Sequence, residues 1–520
     1  MEEYGLDGLV ASAEAVLPGL GPLVAGLAGL AVDAGEAVTL DAMELLAAGP
    51  RGRALLCGVV QLALDRQAAA EVRVPAVTGA DEVARTRAER GHARTVVTTL
   101  GEVVVRRIAY RSGVKGAGSL FVRDAALNLP PLGYSWPLQQ LVVMFARDGA
   151  YELAQELLLA ATGVRIGKRQ LEQIVAAAAA DVPGFYAGCG PGPGRPAEPG
   201  QDAAGPLALS ADGKGVAMLP GSRRKGTRAP GQRVRNFATR PGIGEKGCKR
   251  IAEVACVFDV IPQPRTPQEV MAGRHGGQDE GKAGSKPAPR AVSRRYRVDI
   301  ADDRSAAVGW LFDEAIRRDP GQARDWIALV DGDNHQIRLI EAEAAARGIT
   351  CPVILIDLIH VLEYLWKAAW ALHAPRDPAI EAWTIAQATD ILHGRVAEVT
   401  ARITQAAGQH PPQGPEHARN ITRALAYLQA KQPCLDYPRA LAAGWPVATG
   451  VIEGACRHLV NDRMGITGAR WSTDGAQAIL WLRVIHANGD HDAYWHHHIR
   501  QEHHRNHLSR YHDGLELAAA

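Results

Sequence analysis

The chain has almost no surplus charge. Its 520 residues carry 58 Lys and Arg against 56 Asp and Glu, a net charge of +2. That excludes a histone-like polycation and a uniformly acidic chain, so contact with nucleic acid has to come from local basic patches. Cysteine is scarce and scattered, at 57, 189, 248, 256, 351, 434 and 456, and never occurs as Cys-x-x-Cys. An odd, dispersed set argues against a disulfide framework or a cysteine-based zinc knuckle and fits a reducing cytoplasm. The Met-Glu-Glu start has the wrong charge for a signal peptide. The uncharged run at 15–32 reaches membrane-spanning length, but prolines and glycines break it. A loosely packed N-terminal helical segment is expected there, with no membrane contact. What is present is ordinary globular composition, 47% hydrophobic and 22% charged, in a chain long enough for several domains.

Residues 1–187 read as a mainly helical region. The stretch HARTVVTTLGEVVVRRIAYR at 92–111 interrupts it, with β-branched residues alternating around a Leu-Gly turn. That predicts a β-hairpin with an arginine-studded outer face. YELAQELLLAATGVRIGKRQLEQIV predicts two helices joined by a short glycine turn, the outline of a helix-turn-helix. Arg165, Lys168 and Arg169 fall at the start of its second helix, where such a motif meets bases and phosphates. A plain helical packing unit is the alternative. A Gly/Pro linker spans 188–206.

Beyond the linker the pattern turns to strands at 207–219, 250–261 and 294–301. A helix follows at 305–318, then a strand at 325–331, a helix, and a strand at 351–357. This order predicts an α/β domain with a mixed sheet, its first part at 207–372. Two segments poor in apolar residues interrupt it, at 220–249 and 262–293, and are expected to be loops, the second disordered. The first is basic, with Arg223, Arg224 and Lys225 at its head, and is a candidate phosphate contact. Helices fill 373–445, and a final helical region spans 446–486. The aromatic spacing in HVLEYLWKAAWALH reads as core. The tail at 487–520 is rich in histidine, and without a clean ligand spacing it reads as a surface helix.

Three carboxylates stand out by placement. Asp212 interrupts the apolar run of the first strand, Asp331 closes the strand DWIALVD, and Glu453 lies near the start of a helix. A charge within a strand is costly unless something neutralises it. Asp333, two residues past Asp331, is an alternative ligand, and Asp357 also ends a strand.

These segments resemble the DDE transposases of bacterial insertion sequences, in the group allied to the Mutator-like transposases. The residues that carry the resemblance are Ser-Ala-Asp-Gly-Lys around Asp212, Leu-Val-Asp-Gly-Asp around Asp331, and Asp-Leu-Ile-His at 357–360. GVIEGACRHLVNDRMGITGARWS at 450–472 is the most specific piece. The resemblance implies an RNase H-like core with a helical insertion, preceded by a DNA-binding region. It implies that Asp212, Asp331 and Glu453 hold two Mg²⁺ or Mn²⁺ ions for strand cleavage and strand transfer. Asp357 and His360 match the group's Asp/Cys-x-x-His motif. In the plain reading His360 orients a backbone group or caps a helix, and metal ligation is the other.

The expected partners are double-stranded DNA, as terminal inverted repeats and target, and a second copy in a synaptic complex. The implied location is the bacterial cytoplasm, at the nucleoid. Arg457, Arg463 and Arg470 are candidate DNA contacts and Trp471 a candidate stacking residue, with a salt bridge to Glu453 as the other role for Arg457 and a core position as the other for Trp471. The competing functions are a non-catalytic DNA-binding protein derived from a transposase and another RNase H-like nuclease that cuts without joining.

Overall fold

The computed structural model describes residues 39–188, 205–223, 248–272, 287–301, 304–374, 376–409 and 414–512. The apolar run at 15–32, most of the linker, most of the segment 220–249 and residues 273–286 of the second segment lie outside these residues, as do Arg224 and Lys225. The described part of the second segment is not disordered as expected: it holds helix Pro267–Ala272 and the start of a strand at Arg290. Among the described residues, no helix is long and apolar enough to cross a membrane. The chain divides into two compact units, 1–188 with 491–520 and 189–490.

The described part of the first unit begins with helices Leu40–Ala48 and Pro50–Ala70. Two short strands follow, β1 (Val77–Thr78) and β2 (Ala84–Arg85), and then the hairpin β3 (Arg87–Thr98) and β4 (Gly101–Arg111). Val96, Val103 and Val105 of the hairpin are buried together with Leu129. That one-sided burial is what alternating β-branched residues produce. The hairpin's arginines are not a free outer face. Arg106 pairs with Asp65, Arg107 with Asp124 and Arg111 with Glu89.

Helices Trp136–Asp148, Tyr151–Thr162 and Lys168–Ala179 follow. Ser135 caps the first of them, its hydroxyl accepting from the Leu138 N–H at 3.4 Å. Gly163, left-handed at φ 72°, ends the second. Leu158, Leu171 and Ile174 are fully buried between them.

The histidine-rich segment corrects the expectation of a surface tail. Helix His491–Asn506 buries Tyr494, Trp495, His498 and Glu502 within the first unit. Hydroxyl and imidazole groups of this helix and of His507 just past it reach backbone carbonyls, Tyr494 at Ala178, His503 at Ala125 and His507 at Leu129. The buried face is helical in spacing but built from Tyr, Trp, His and Glu, so the apolar signal that marks a core helix is missing.

The second unit is a mixed α/β domain. Its sheet comprises β5 (Leu207–Ala217), β6 (Lys249–Ile261), β7 (Arg290–Ala301), β8 (Trp326–Val330) and β9 (Val353–Ile356), in the order β7-β6-β5-β8-β9. β5, β6 and β7 are antiparallel, while β8 and β9 run parallel to β5. Every residue of β8 is buried, which is why it reads as an unbroken apolar run. Helix Ser305–Arg318 packs on β5 and β6, and helix Thr473–Ala487 packs on β7.

Directly after β9 the chain turns into helix Leu358–Leu372. That helix packs against Ala379–Leu392 and Pro415–Lys431, so by contact it belongs with the helical insertion rather than ahead of it. Its buried face is Leu358, Val361, Leu362, Leu365, Ala368 and Ala369. Aromatic Trp370, expected in the core, is 57% exposed.

Candidate metal centre

The site begins with strand pairing. Ser210 of β5 pairs with Leu329 of β8, and Val330 of β8 pairs with Ile356 of β9. Asp212 therefore stands level with Asp331, and Asp331 level with Asp357; Asp331 and Asp357 follow the carboxyl ends of β8 and β9, while Asp212 lies midway along β5, just past its pairing with β8. Parallel strands open their loops at this edge, which makes it the usual place for a site in an α/β sheet.

Each carboxylate is fixed differently. Asp331 is exposed, and its Oδ1 accepts the Asp333 N–H at 2.8 Å. Gly332 between them is left-handed at φ 97°, and a Cβ there would meet the Tyr427 hydroxyl at 2.7 Å. The turn thus needs glycine for conformation and for space. Tyr427 comes from the helical insertion and stacks on Tyr364 with centroids 3.9 Å apart. Burial pushes its phenol above the ordinary range. Asp333 is otherwise occupied. It caps helix Asn334–Arg347 through the His335 N–H at 2.9 Å and takes the Arg304 guanidinium at 2.7 Å. That leaves Asp331 the more available of the two.

Asp357 is fully buried and caps helix Leu358–Leu372, its Oδ1 accepting the Ile359 N–H at 2.8 Å. Its Oδ2 accepts the Thr449 hydroxyl. The same hydroxyl lies 3.1 Å from Glu453 Oε1. His360 stands three residues past Asp357, on the first turn of the same helix, where i and i+3 share a face. Ligand atoms of Asp357, His360 and Glu453 all fall within 4.8 Å of one another.

Glu453 is presented by the short helix Gly450–Ala455, which lies against β5 and β6. The helix then widens into a π turn over Cys456–Asn461, a distortion frequent at functional sites. Cys456 is buried, its Sγ 3.8 Å from the Asp212 carbonyl, and burial pushes its thiol well up.

Asp212 is engaged by Lys214, whose ammonium lies 2.9 Å from Oδ2. Hydrogen bonding to Asp212 raises the Lys214 pKa above its ordinary value, and Glu453 adds to the effect. Among the described residues, then, Glu453 is grouped tightly with Asp357 and His360. Asp331 and Asp212 stand level with Asp357 on the next two strands, outside that group.

Sequence reasoning missed Glu253. It sits on β6 opposite Gly213, so it points to the face opposite Asp212. Only 4% exposed, it receives the Arg304 Nε at 3.1 Å, while its Oε2 is buried without a hydrogen-bond partner. Burial raises its carboxyl, against the pull of Arg304. A Cβ on Gly213 would come within 2.9 Å of this carboxylate, so glycine makes the space. The signal was available, since Glu253 interrupts an apolar strand as Asp212 does. Thr449, Tyr427 and Arg304 carried no comparable signal.

Of the basic candidates, Arg165, Lys168, Arg169 and Arg470 are exposed, with Lys168 paired to Glu152 at 2.6 Å. Arg223 is half-buried. Arg457 is 82% exposed and 3.9 Å from Asp462, so the salt bridge to Glu453 does not form. Arg463 is corrected: only 2% exposed, it lies under the Trp471 ring, 4.6 Å from its centroid, and does not offer its charge to DNA. Trp471 is buried and bridges to Met218 at the end of β5.

No family model and no curated protein sequence matches the chain. The site is read from its own residues.

Proposed function

We propose that the chain is a metal-dependent DNA transposase and that its second unit is an RNase H-like catalytic core. The observation that carries this reading is the level alignment of Asp212, Asp331 and Asp357 across three adjacent strands, with Glu453 brought beside Asp357 by a helix. The strand order supports it. The first strand of the unit is central, with the second and fourth beside it, as an RNase H-like sheet requires.

The donor set fits hard divalent cations. Four carboxylates supply oxygen ligands, and an imidazole joins them. Asp212, Asp331 and Glu453 would hold Mg²⁺ or Mn²⁺, with Asp357 and His360 beside Glu453. Bound there, the ions would activate water and neutralise charge on the leaving oxygen of a phosphodiester. The chain's own part is position. Three neighbouring strands fix three carboxylates, Tyr427 covers the Asp331 turn, and Thr449 links Asp357 to Glu453. Arg165, Lys168, Arg169, Arg457 and Arg470 would meet DNA phosphates, which set affinity and orientation rather than sequence choice.

The test is product analysis. The chain, a divalent cation and DNA bearing its element's ends should give cut ends and then joined product. Cutting without joining would favour a nuclease on the same core, and end binding without either would favour a non-catalytic DNA-binding protein.

A further inference from the structure

We propose that Asp357, His360 and Glu453 form one divalent-cation site whose imidazole makes it select Mn²⁺ over Mg²⁺. The inference rests on the reading of this edge as a metal centre and adds which residues hold one ion and which kind of ion they prefer.

Charge balance points to a cation. The Thr449 hydroxyl has one proton and is set against two carboxylates, Asp357 and Glu453. It can satisfy only one of them. Asp357 is fully buried, and a buried carboxylate is stable as an anion only with a counter-charge. Among the described residues, neither Asp357 nor Glu453 has an ion pair within 4.0 Å, and His360 has no hydrogen-bond partner. The nearby cation, Lys214, bonds Asp212 instead.

The other group with comparable ligands shows what a self-sufficient cluster looks like. In the first unit Asp181, His498 and Glu502 also come within 4.8 Å. There Arg505 donates to Asp181 at 2.5 Å and pairs with Glu502, and Asn506 donates to Glu502 at 2.8 Å. That cluster contains its own cation and needs none from solution. The Asp357 cluster lacks one.

Ligand chemistry sets the preference. Mg²⁺ takes oxygen ligands in strict octahedral order and keeps its waters, whereas imidazole nitrogen suits transition ions. One nitrogen beside two carboxylates therefore favours Mn²⁺. Asp357 and His360, at the cap and third position of one helix, are held ready on one face before any ion arrives.

The experiment is Mn²⁺ titration of the full chain by electron paramagnetic resonance, with Mg²⁺ as competitor and spin-echo modulation to detect a nitrogen ligand. Wild type should bind Mn²⁺ with ¹⁴N modulation and release it only to excess Mg²⁺. His360→Gln should lose the modulation and weaken Mn²⁺ by about tenfold or more, a loss that even outer partners of metal ligands carry, with Mg²⁺ affinity unchanged. Glu453→Gln should weaken both ions. Absence of nitrogen modulation in wild type, or equal affinity for the two ions, would overturn the proposal. So would Mn²⁺ binding indifferent to both substitutions. If His360→Gln fails to fold, the wild-type modulation and the Glu453→Gln titration decide. Loss of the transposase reading would appear separately, as metal binding intact with no cleavage of DNA.

Discussion

Asp331 leaves β8 one residue past Val330, and Asp357 leaves β9 one residue past Ile356, and Val330 and Ile356 are direct pairing partners. The two carboxylates therefore end neighbouring parallel strands at the same level, although 25 residues, including the helix Asn334–Arg347, separate them in the chain. Their environments differ. Asp357 is fully buried and bonded on both oxygens, whereas Asp331 is exposed on a glycine turn. One is enclosed beside His360 and Glu453, and the other lies open on its turn.

Arg304 ties the buried Glu253 to Asp333, two residues beyond Asp331. Replacing it with methionine leaves Glu253 buried without its cation. A fully buried pair loses about 3–5 kcal/mol when one partner is removed, and with Arg304 28% exposed the expected cost is about 2–3 kcal/mol. Urea denaturation of Arg304→Met measures it. A loss near zero would mean that this pair does not hold the turn.

Glu253 also gives a pH dependence with a definite sign. Burial raises its carboxyl above the ordinary 4.5, so the folded chain keeps that proton longer than the unfolded chain. As pH rises above 4.5 the unfolded state ionises first, and wild type loses stability relative to Glu253→Gln until the folded carboxyl ionises too. Urea midpoints of both proteins, taken from about pH 4 to about pH 8, should show that difference open and then level off. Parallel curves would contradict it.

Much of the fold was legible, and the reason lies in the residues. β8 is WIALV, buried throughout, and β4 alternates Val103 and Val105 into its core, so periodicity gave both directly. The helix pair ending in Lys168–Ala179 was marked by Gly163 and by its apolar spacing. The site was legible in part. Asp212, Asp331 and Glu453 were visible as charges in or beside apolar runs, but the grouping of Glu453 with Asp357 and His360 depends on which strand lies next to which. Thr449 and Tyr427 reach the site from elements remote in sequence. Arg463 looked like a surface cation because a stacking contact with Trp471 leaves no pattern in sequence.

The histidine-rich helix is the clearest case of a core that hydropathy conceals. Tyr494 is fully buried, its hydroxyl on Ala178 and its ring 5.5 Å from Phe185. Tyr494→Ala should destabilise the first unit by about 3–5 kcal/mol, the range for emptying a buried aromatic site. Calorimetry of the whole chain should show a lowered transition for that unit. An unchanged melt would return the segment to the role of a surface appendage.

The central claim is tested most directly by cleavage of DNA carrying the native flanks of the coding region, comparing wild type with Glu453→Gln in Mg²⁺ and in Mn²⁺. The account predicts metal-dependent cuts at the inverted repeats by wild type, none by Glu453→Gln, and end binding retained by both. Equal cutting by the two proteins would remove Glu453 from the chemistry. Specific binding with no cutting by either would contradict the catalytic reading.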